Sequence, residues 1–312
     1  MVFDINGNEI CDYDSGSSTT HTDSDCLTAF LGYMAQKAAS LGMTGTYYAN
    51  PSGLTSSSYS TPQDAMKLGM AVTANKNALD IWSTANRSFS ILGSHARTIS
   101  VSNNVISGMS TDLGTYYKFL GGKGGSLGNS TRAQILLVEV EDRPVILSLM
   151  SDGQTSFTNI YKSAKELCDM VKDSIDGQTP SEGTNLATLV SDGGGYCACL
   201  VPVVSGAYVN LETPAELLAR EHSIYASPTA NRVPASTTKV MTMLCALDYI
   251  PNLHSLVTVK SSDIASGSGS TFYDGDQMTF YDALRIMMME SSNTLANTLA
   301  RVTGGRILDM GD

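Results

Sequence analysis

Charged residues are scarce in this chain of 312 residues, in which Asp, Glu, Lys and Arg together make up 16% of the sequence. The net charge is −11, and the 19 Lys and Arg residues are scattered without forming a basic run. Proteins that bind nucleic acids or anionic membranes normally carry basic patches. We therefore expect no nucleic-acid partner, and we assign the acidic balance to solubility.

Long apolar segments are also missing. The sequence has no stretch of about 18 apolar residues, so we expect no membrane-spanning helix and no membrane anchor in this chain. Residues 1–4 lack the basic and apolar regions of a signal peptide. Two alternatives remain, an intracellular chain or a targeting segment that lies outside this sequence.

Cysteine is too sparse for a disulfide scaffold, since the chain has six cysteines in 312 residues. Cys197 and Cys199 form a C-x-C pair, which could be half of a metal site, but no C-x-x-C or H-x-x-x-H motif accompanies it. We favour alternate positions on a strand. Asp4, Asn6 and Asn8 resemble a calcium loop in which the required glycine is absent. We predict no metal and no cofactor.

Hydrophobic periodicity and capping residues predict a mixture of helices and strands. The predicted helices cover residues 27–41 (with a stop at Gly42), a segment that begins after Thr61, 77–83, 157–171, 236–249, 279–290 and 294–302. The predicted strands cover residues 134–140 and 145–150, joined as a hairpin, and residues 197–204 and 217–221.

The composition divides the chain into four parts. Residues 1–26 form a polar arm with a hairpin turn at Asn6-Gly7. Residues 174–196 are rich in Gly, Ser and Thr and are predicted to be an exposed, mobile linker. The two long segments, 27–173 and 197–312, are expected to form one domain together.

The sharpest local feature is the run Pro-Ala-Ser-Thr-Thr-Lys at residues 234–239. Ser236 and Lys239 stand three residues apart at the start of a predicted helix, so their side chains share one face. A serine hydroxyl is a poor nucleophile until a base takes its proton, and a lysine can be that base where burial favours its neutral form. Of the ten lysines, only Lys239 has a serine three residues before it. The alternative is a capping serine beside a solvated lysine.

A second motif, Ser-x-Asn, is formed by Ser291 and Asn293 between two predicted helices. Its alternative interpretation is a helix cap by Ser291 or Ser292.

A third feature is the run Gly-Gly-Lys-Gly-Gly-Ser at residues 121–126, which precedes the predicted hairpin. Glycines beside Lys123 would let a substrate backbone approach closely, and the alternative is a flexible turn.

Together these features resemble the Ser-x-x-Lys, Ser-x-Asn and Lys-Thr-Gly set of the penicillin-recognising serine enzymes. Residues 234–239 resemble a common form of the first motif in the D-alanyl-D-alanine carboxypeptidases. Residues 41–44 and 50–54 are similar to another stretch of that family. The resemblance covers about residues 27–173 and 197–305. It implies an α/β (α+β) fold of the β-lactamase and transpeptidase type, with an antiparallel sheet flanked by helices and a helical lobe.

The sequence departs from this family in two respects. The third motif reads Lys-Gly-Gly, so the hydroxyl that would help to hold a substrate carboxylate is missing, and Ser126 is a candidate to replace it. The order of the motifs is also changed, because residues 27–173 correspond to the end of the family's domain and residues 197–312 to its beginning. This order indicates a circular permutation in which residues 174–196 join the ancestral termini. The alternative is a domain-swapped homodimer.

The resemblance also implies a role for each motif residue. Ser236 is the nucleophile, Lys239 its base, and Ser291 relays a proton to the leaving group beside the positive charge of Lys123. Asn293 contacts the substrate amide. The backbone N–H groups of Ser236 and Ser126 form the oxyanion hole. Gly124, Gly125 and Ser126 belong to the substrate-binding residues.

The implied activity is removal of the terminal D-alanine from peptidoglycan stem peptides that end in D-Ala-D-Ala, with β-lactam antibiotics as acylating ligands. The implied location is extracytoplasmic. Three rival interpretations remain. They are a β-lactamase, a non-catalytic sensor or assembly protein with the same fold, and an α/β-hydrolase with Ser126 in the G-x-S-x-G run at residues 124–128.

Overall fold

The computed structural model describes residues 2–3, 9–10, 21–109, 116–154, 156–204, 207–208 and 212–311. In this part of the chain the helices are α1 Asp23–Ser40, α2 Pro62–Thr73, α3 Lys76–Ser83, α4 Asn104–Met109, α5 Phe157–Ile175, α6 Thr184–Ser191, α7 Pro214–Leu218, α8 Thr238–Tyr249, α9 Phe280–Glu290 and α10 Asn293–Gly311. No described helix is long and apolar enough to cross a membrane.

The strands are short except in one sheet. They are β1 Val2–Phe3, β2 Glu9–Ile10, β3 Asn86–Ile91, β4 Arg97–Ser102, β5 Lys118–Leu127, β6 Thr131–Val140, β7 Arg143–Ser151, β8 Gly195–Leu200, β9 Val203–Val204, β10 Ala207–Tyr208, β11 Ile224–Ala226, β12 Leu256–Thr258 and β13 Gln277–Thr279.

The main sheet has five antiparallel strands in the order β11-β8-β7-β6-β5. The predicted hairpin is present as β6 and β7, in which Val140 pairs with Arg143 across a two-residue turn. Glu141 and Asp142 both have positive φ angles, 47° and 56°, as a type I′ turn requires. The strand β5 lies at one edge of the sheet, and the candidate site residues described below gather at this edge.

Both faces of the sheet are covered, which explains why β6 and β7 are almost continuously apolar. Side chains such as Ile135 and Leu137 on one face join a core with the helices α2, α8, α9 and α10. Their neighbours Leu136 and Val138 point the other way and pack against α4, α5 and α6. The helices α1, α8, α9 and α10 contact one another and form a helical lobe. The predicted antiparallel sheet with flanking helices is confirmed.

Local capping explains where several helices begin. The Thr61 side chain accepts a hydrogen bond from the Asp64 N–H, and Pro62 occupies the first helical position of α2. Thr279 caps α9 in the same way by accepting from the Asp282 N–H. These side-chain caps replace the backbone partners that the first turn of a helix lacks.

The prediction that residues 174–196 form only an exposed, mobile linker is wrong. Helix α5 extends into it as far as Ile175, α6 follows, and β8 begins at Gly195. The Glu166 carboxylate accepts hydrogen bonds from the Leu186 N–H at 2.8 Å and from the Asn185 N–H at 3.2 Å, so it fixes the start of α6. The buried side chains of Leu186 and Leu189 anchor the helix to the sheet. The helical spacing of Leu186 and Leu189 is the sequence feature that indicates α6.

Other sequence predictions also need correction or lie outside the described residues. The strand predicted at residues 217–221 is wrong, because residues 214–218 form α7, capped by Thr213, and the edge strand begins only at Ile224. Cys197 and Cys199 are buried and free at alternate positions of β8, as predicted. The Asn6-Gly7 turn and the calcium-like Asp4, Asn6 and Asn8 lie outside the described residues, although β1 and β2 do pair antiparallel.

Candidate active site

Ser236 lies in a short 3-10 helix, Ala235–Thr237, which leads directly into α8. Its hydroxyl Oγ lies 3.0 Å from the Nζ atom of Lys239, one helical turn later. The preceding residue, Ala235, has a φ angle of +47°, a conformation that side-chain-bearing residues rarely adopt. Such strain persists where the surroundings enforce it and is frequent at functional sites. Here it accompanies the turn that carries the Ser236 hydroxyl.

Lys239 is fully buried, and its Nζ has three oxygen neighbours. The carbonyl oxygen of Ser52 lies at 2.6 Å, the amide Oδ1 of Asn293 at 2.7 Å, and the Ser236 hydroxyl is the third. Burial, together with the positive charge of Lys123, holds the pKa of Lys239 well below its usual range. A neutral amine has two N–H donors, which match the two carbonyl-type oxygens. Its lone pair is then free to accept the proton of Ser236.

The segment at residues 50–54 forms the floor beneath Lys239. The Pro51 carbonyl accepts a hydrogen bond from Thr242 of α8 at 2.6 Å, and the Ser52 carbonyl accepts from Lys239. The Asn50 side chain accepts from the Gly53 N–H at 2.7 Å and closes the turn. The sequence had drawn attention to this segment by resemblance alone, and the structure shows that its backbone supplies an acceptor for the lysine.

Ser291 lies between α9 and α10 in the left-handed conformation, with a φ angle of 68°. Its Oγ accepts a hydrogen bond from the Nζ of Lys123 at 2.9 Å, and the same Nζ donates to the Gly124 carbonyl at 2.7 Å. The side chain of Lys123 is only 2% exposed, and burial lowers its pKa to about 7. Near neutral pH this lysine can therefore either give or accept a proton.

The run of glycines around Lys123 is part of β5 and not a turn, which corrects one of the alternatives. Gly125 lies against the nucleophile, since a Cβ built on it would stand 2.8 Å from the Ser236 nitrogen and 2.9 Å from the Pro234 carbonyl. Glycine is required for this close approach of two backbones. The α/β-hydrolase interpretation needs a helix after Ser126. It is not supported, because Ser126 lies inside β5 and a strand follows.

Asn293 begins α10 and connects three parts of the site. Its Oδ1 accepts from Lys239, and its Nδ2 donates to the Ser266 carbonyl at 2.7 Å. A side-chain amide carries two N–H donors, so one of them remains for a ligand. This geometry is compatible with contact between Asn293 and a substrate amide.

These groups open onto a cavity of about 520 Å³ at the edge of the sheet. Seven of the eight predicted site residues line it, namely Lys123, Gly124, Gly125, Ser126, Ser236, Ser291 and Asn293, and the eighth, Lys239, lies beneath them. The apolar lining residues Leu54, Val105, Phe157, Tyr161 and Met289 were not identified from the sequence. No local pattern marks them, because they come from four separate segments, with Phe157 and Tyr161 both on α5.

Two more lining residues, Gly267 and Ser268, belong to an exposed loop that the sequence did not single out. The cavity lining contains no Asp or Glu among the described residues. Within the described part of the chain, no group of three or more His, Cys, Asp or Glu side chains is placed to hold a metal ion. The polar side chains that do line the cavity include Lys123, Ser126, Ser236, Ser291 and Asn293.

The chain was compared with known protein families. Residues 204–309 match the model of the Beta-lactamase enzyme family, and this stretch contains Ser236, Lys239, Ser291 and Asn293. No curated protein and no solved structure matches the chain. The family match and the fold support a serine hydrolase of the superfamily that includes the β-lactamases and the penicillin-binding proteins.

Proposed function

We propose that the protein is a serine acyl-transfer hydrolase that removes the terminal D-alanine from peptides ending in D-Ala-D-Ala. β-Lactams are proposed to acylate the same serine, Ser236. One observation carries the proposal: two Ser–Lys pairs, Ser236–Lys239 and Ser291–Lys123, each with a buried lysine, meet at a single cavity that both serines line. An enzyme that forms and releases an acyl-serine needs a base for the nucleophile and an acid for the leaving group, and the two pairs can fill these roles.

In the proposed acylation step, the Ser236 oxygen attacks the carbonyl carbon of the scissile amide while its proton passes to the neutral Nζ of Lys239. The carbonyl oxygen becomes negative and is stabilised by the backbone N–H groups of Ser236 and Ser126. When the C–N bond breaks, Ser291 gives its hydroxyl proton to the leaving nitrogen. Ser291 is then reprotonated by the ammonium group of Lys123, with which it shares a 2.9 Å hydrogen bond.

Hydrolysis of the acyl-enzyme requires a water molecule and a base. Because the described cavity lining has no carboxylate, Lys239 is the group best placed to activate that water. We therefore expect slow deacylation of β-lactam adducts, whose bulky acyl group remains in the cavity. This expectation favours a penicillin-sensitive peptidase over an efficient β-lactamase.

A β-lactamase is the second candidate, and the match of residues 204–309 to the Beta-lactamase enzyme family favours it. The two candidates differ in the fate of the adduct, since a β-lactamase turns over many penicillin molecules and a penicillin-sensitive peptidase is blocked by one. A non-catalytic sensor is disfavoured because a scaffold has no need for two buried lysines, which are costly to bury.

The test is release of D-alanine from a tripeptide that ends in D-Ala-D-Ala. The matched control substrate ends in D-Ala-L-Ala, and the control variant is Ser236→Ala. The proposal expects release from the first substrate alone and none by the variant. Rapid hydrolysis of penicillin without release of D-alanine would assign the protein to the β-lactamases instead.

The proposed substrate is part of the cell wall, so we propose an extracytoplasmic location.

We also propose that the motif order reflects a circular permutation within one chain. In support, Lys123 and Ser52 come from the segment 27–173, whereas Ser236 and Ser291 come from 197–312, and all four meet in the same chain. We propose accordingly that one chain completes the site without a residue from a domain-swapped partner.

A further inference from the structure

The residue before Ser291 is a buried acid whose position is unfavourable for stability. Glu290 is the last residue of α9, and its side chain is mostly buried. Helix C-termini carry partial negative charge, which disfavours a carboxylate there, and burial adds the cost of desolvation. Burial raises the pKa of Glu290 accordingly. An acid in this place needs a compensating role.

The hydrogen-bond partners of Glu290 lie in one exposed loop, residues 265–270, which we call the wall loop. The Ser270 N–H donates to Glu290 Oε1 at 2.8 Å, and the Ser270 hydroxyl donates to Oε2 at 2.9 Å. The Ser268 hydroxyl donates to the Glu290 backbone carbonyl at 3.2 Å. Glu290 therefore binds the wall loop through both its side chain and its main chain.

The wall loop in turn forms one side of the catalytic cavity. Gly267 and Ser268 line the cavity, and the Ser266 carbonyl accepts from the Asn293 amide. The packing is close, because a Cβ at Gly269 would stand 2.7 Å from the carboxyl carbon of Glu290. Movement of the wall loop would consequently displace Asn293, whose other end holds Lys239.

Ser291 also depends on this arrangement. Its left-handed backbone is unfavourable for a residue with a side chain, so neighbouring contacts must hold it. The residue before Ser291 is held by the hydrogen bonds that Glu290 accepts from Ser268 and Ser270. The side chain of Ser291 is held by the hydrogen bond that it accepts from Lys123.

We propose that Glu290 is a positioning residue for acyl transfer: by clamping the wall loop it holds Ser291 and Asn293 in the geometry that the chemical step requires. The proposal rests on the proposed acylation of Ser236. Glu290 itself touches no substrate, since it does not line the cavity. Its loss should slow the chemical step more than it weakens the initial binding of the acylating compound.

The experiment measures penicillin acylation of the full chain by time-resolved intact-mass spectrometry over a range of penicillin concentrations. This separates the limiting acylation rate constant from the apparent dissociation constant. Glu290→Leu keeps the side-chain volume but removes the acceptor for Ser270, and we expect the limiting rate constant to fall about 10- to 100-fold, the effect of a small misplacement of reacting groups. Glu290→Gln keeps an acceptor for the Ser270 N–H and should restore most of the rate.

Asp64→Asn is the matched control. Asp64 is also a buried carboxylate with neutral donors, the Gly45 N–H at 2.9 Å and the Thr46 hydroxyl at 2.8 Å, and it does not line the cavity. Its substitution should lower the melting temperature without changing the limiting rate constant. If Glu290→Leu does not fold, Ser270→Ala serves in its place, because it removes one of the two donors to the carboxylate.

An unchanged limiting rate constant in Glu290→Leu, or in Ser270→Ala where that variant replaces it, would overturn the proposal. An equal loss of rate in Asp64→Asn would also overturn it, since the effect would then be general destabilisation. These results leave the proposed function intact because the wild-type protein is still acylated. Failure of the wild-type protein to be acylated would refute the proposed function, and with it the role of Glu290.

Discussion

The Nζ atom of Lys123 lies 2.9 Å from the Oγ atom of Ser291, although 168 residues separate the two in the sequence. A second long-range contact, from Lys239 Nζ to the Ser52 carbonyl, spans 187 residues. Both contacts join the segment 27–173 to the segment 197–312. The site is therefore built by folding the two segments onto one another, and neither segment holds all of it.

Replacement of Lys239 by methionine should nearly abolish acylation of Ser236. The substitution keeps the apolar stem but removes the only base that contacts the Ser236 hydroxyl among the described residues. General-base catalysis contributes about 10²- to 10⁴-fold, so we expect a loss of that order in the rate of penicillin labelling. Circular dichroism and thermal melting are the controls, and both should show a folded protein. Labelling at the wild-type rate would mean that the base is another group.

The rate of acylation should fall as the pH rises through about 7, because burial lowers the pKa of Lys123 to about 7. Below this pH Lys123 is an ammonium group that can reprotonate Ser291, and above it the proton is lost. The pKa of Lys239 is also lowered, so its neutral form remains available as the base. Limiting acylation rates measured from about pH 5 to about pH 9 test this profile.

Lys123→Arg provides the control for the pH profile. A guanidinium group stays protonated throughout this range. The variant should react more slowly, because a guanidinium is a poor proton donor, but the fall in rate near pH 7 should disappear. If the same fall persists in the variant, a group other than Lys123 titrates.

Gly124→Thr should increase the preference for compounds that carry a free carboxylate. The substitution supplies the hydroxyl that the Lys-Gly-Gly motif lacks. A Cβ at this position would lie 3.0 Å from the Gln134 Nε2 atom and 3.3 Å from a methyl carbon of Val105, so only small shifts are needed. One charge-assisted hydrogen bond contributes about 1.5 to 3 kcal/mol, or roughly tenfold or more in rate.

The measurement for Gly124→Thr compares acylation by benzylpenicillin with acylation by its methyl ester, which differ only at the carboxylate. The ratio of the two rate constants should shift toward the acid in the variant. Gly32→Thr is a control at an exposed glycine of α1, where an added Cβ meets no atom within 4 Å, and it should leave the ratio unchanged. An unchanged ratio in Gly124→Thr would show that the threonine hydroxyl does not reach the substrate carboxylate.

Cleavage between Gly177 and Pro180 should leave the enzyme active. The structure places this stretch in an exposed connection between α5 and α6, so a protease site can be inserted there. In the permutation proposal, cleavage restores ancestral termini, and the two fragments stay together through the shared sheet. Co-elution of the fragments with retained penicillin labelling is the expected result. Dissociation with loss of labelling would contradict it.

Much of the fold could be predicted because its signals are local. Thr61-Pro62 marked the start of α2, and two apolar runs around Glu141-Asp142 marked the central hairpin. The helix α6 was missed because its polar composition is that of a linker, and only the buried Leu186 and Leu189 reveal its contact with the sheet. Helix stability in proteins comes mainly from packing, which composition does not show.

The chemical groups of the site could be predicted from three short motifs, but the contacts that hold these groups in place could not. The contact of Lys239 with the Ser52 carbonyl and that of the Glu290 carboxylate with Ser270 join residues far apart in the sequence, and the three motifs do not indicate them. The run at Lys123 does precede the hairpin, but it forms the edge strand β5, where no strand was predicted. Glycine-rich runs suggest turns. Here position 125 is a glycine because its backbone lies close to that of Ser236.

The central claim is that Ser236 is the acylated nucleophile, and mass spectrometry after incubation with benzylpenicillin tests it most directly. The intact mass should increase by the mass of one penicillin molecule, because the β-lactam ring opens onto the serine without losing an atom. Peptide mapping should then place the adduct on Ser236, and Ser236→Ala should remain unmodified. The absence of an adduct, or an adduct on Ser126 or Ser291, would contradict the account.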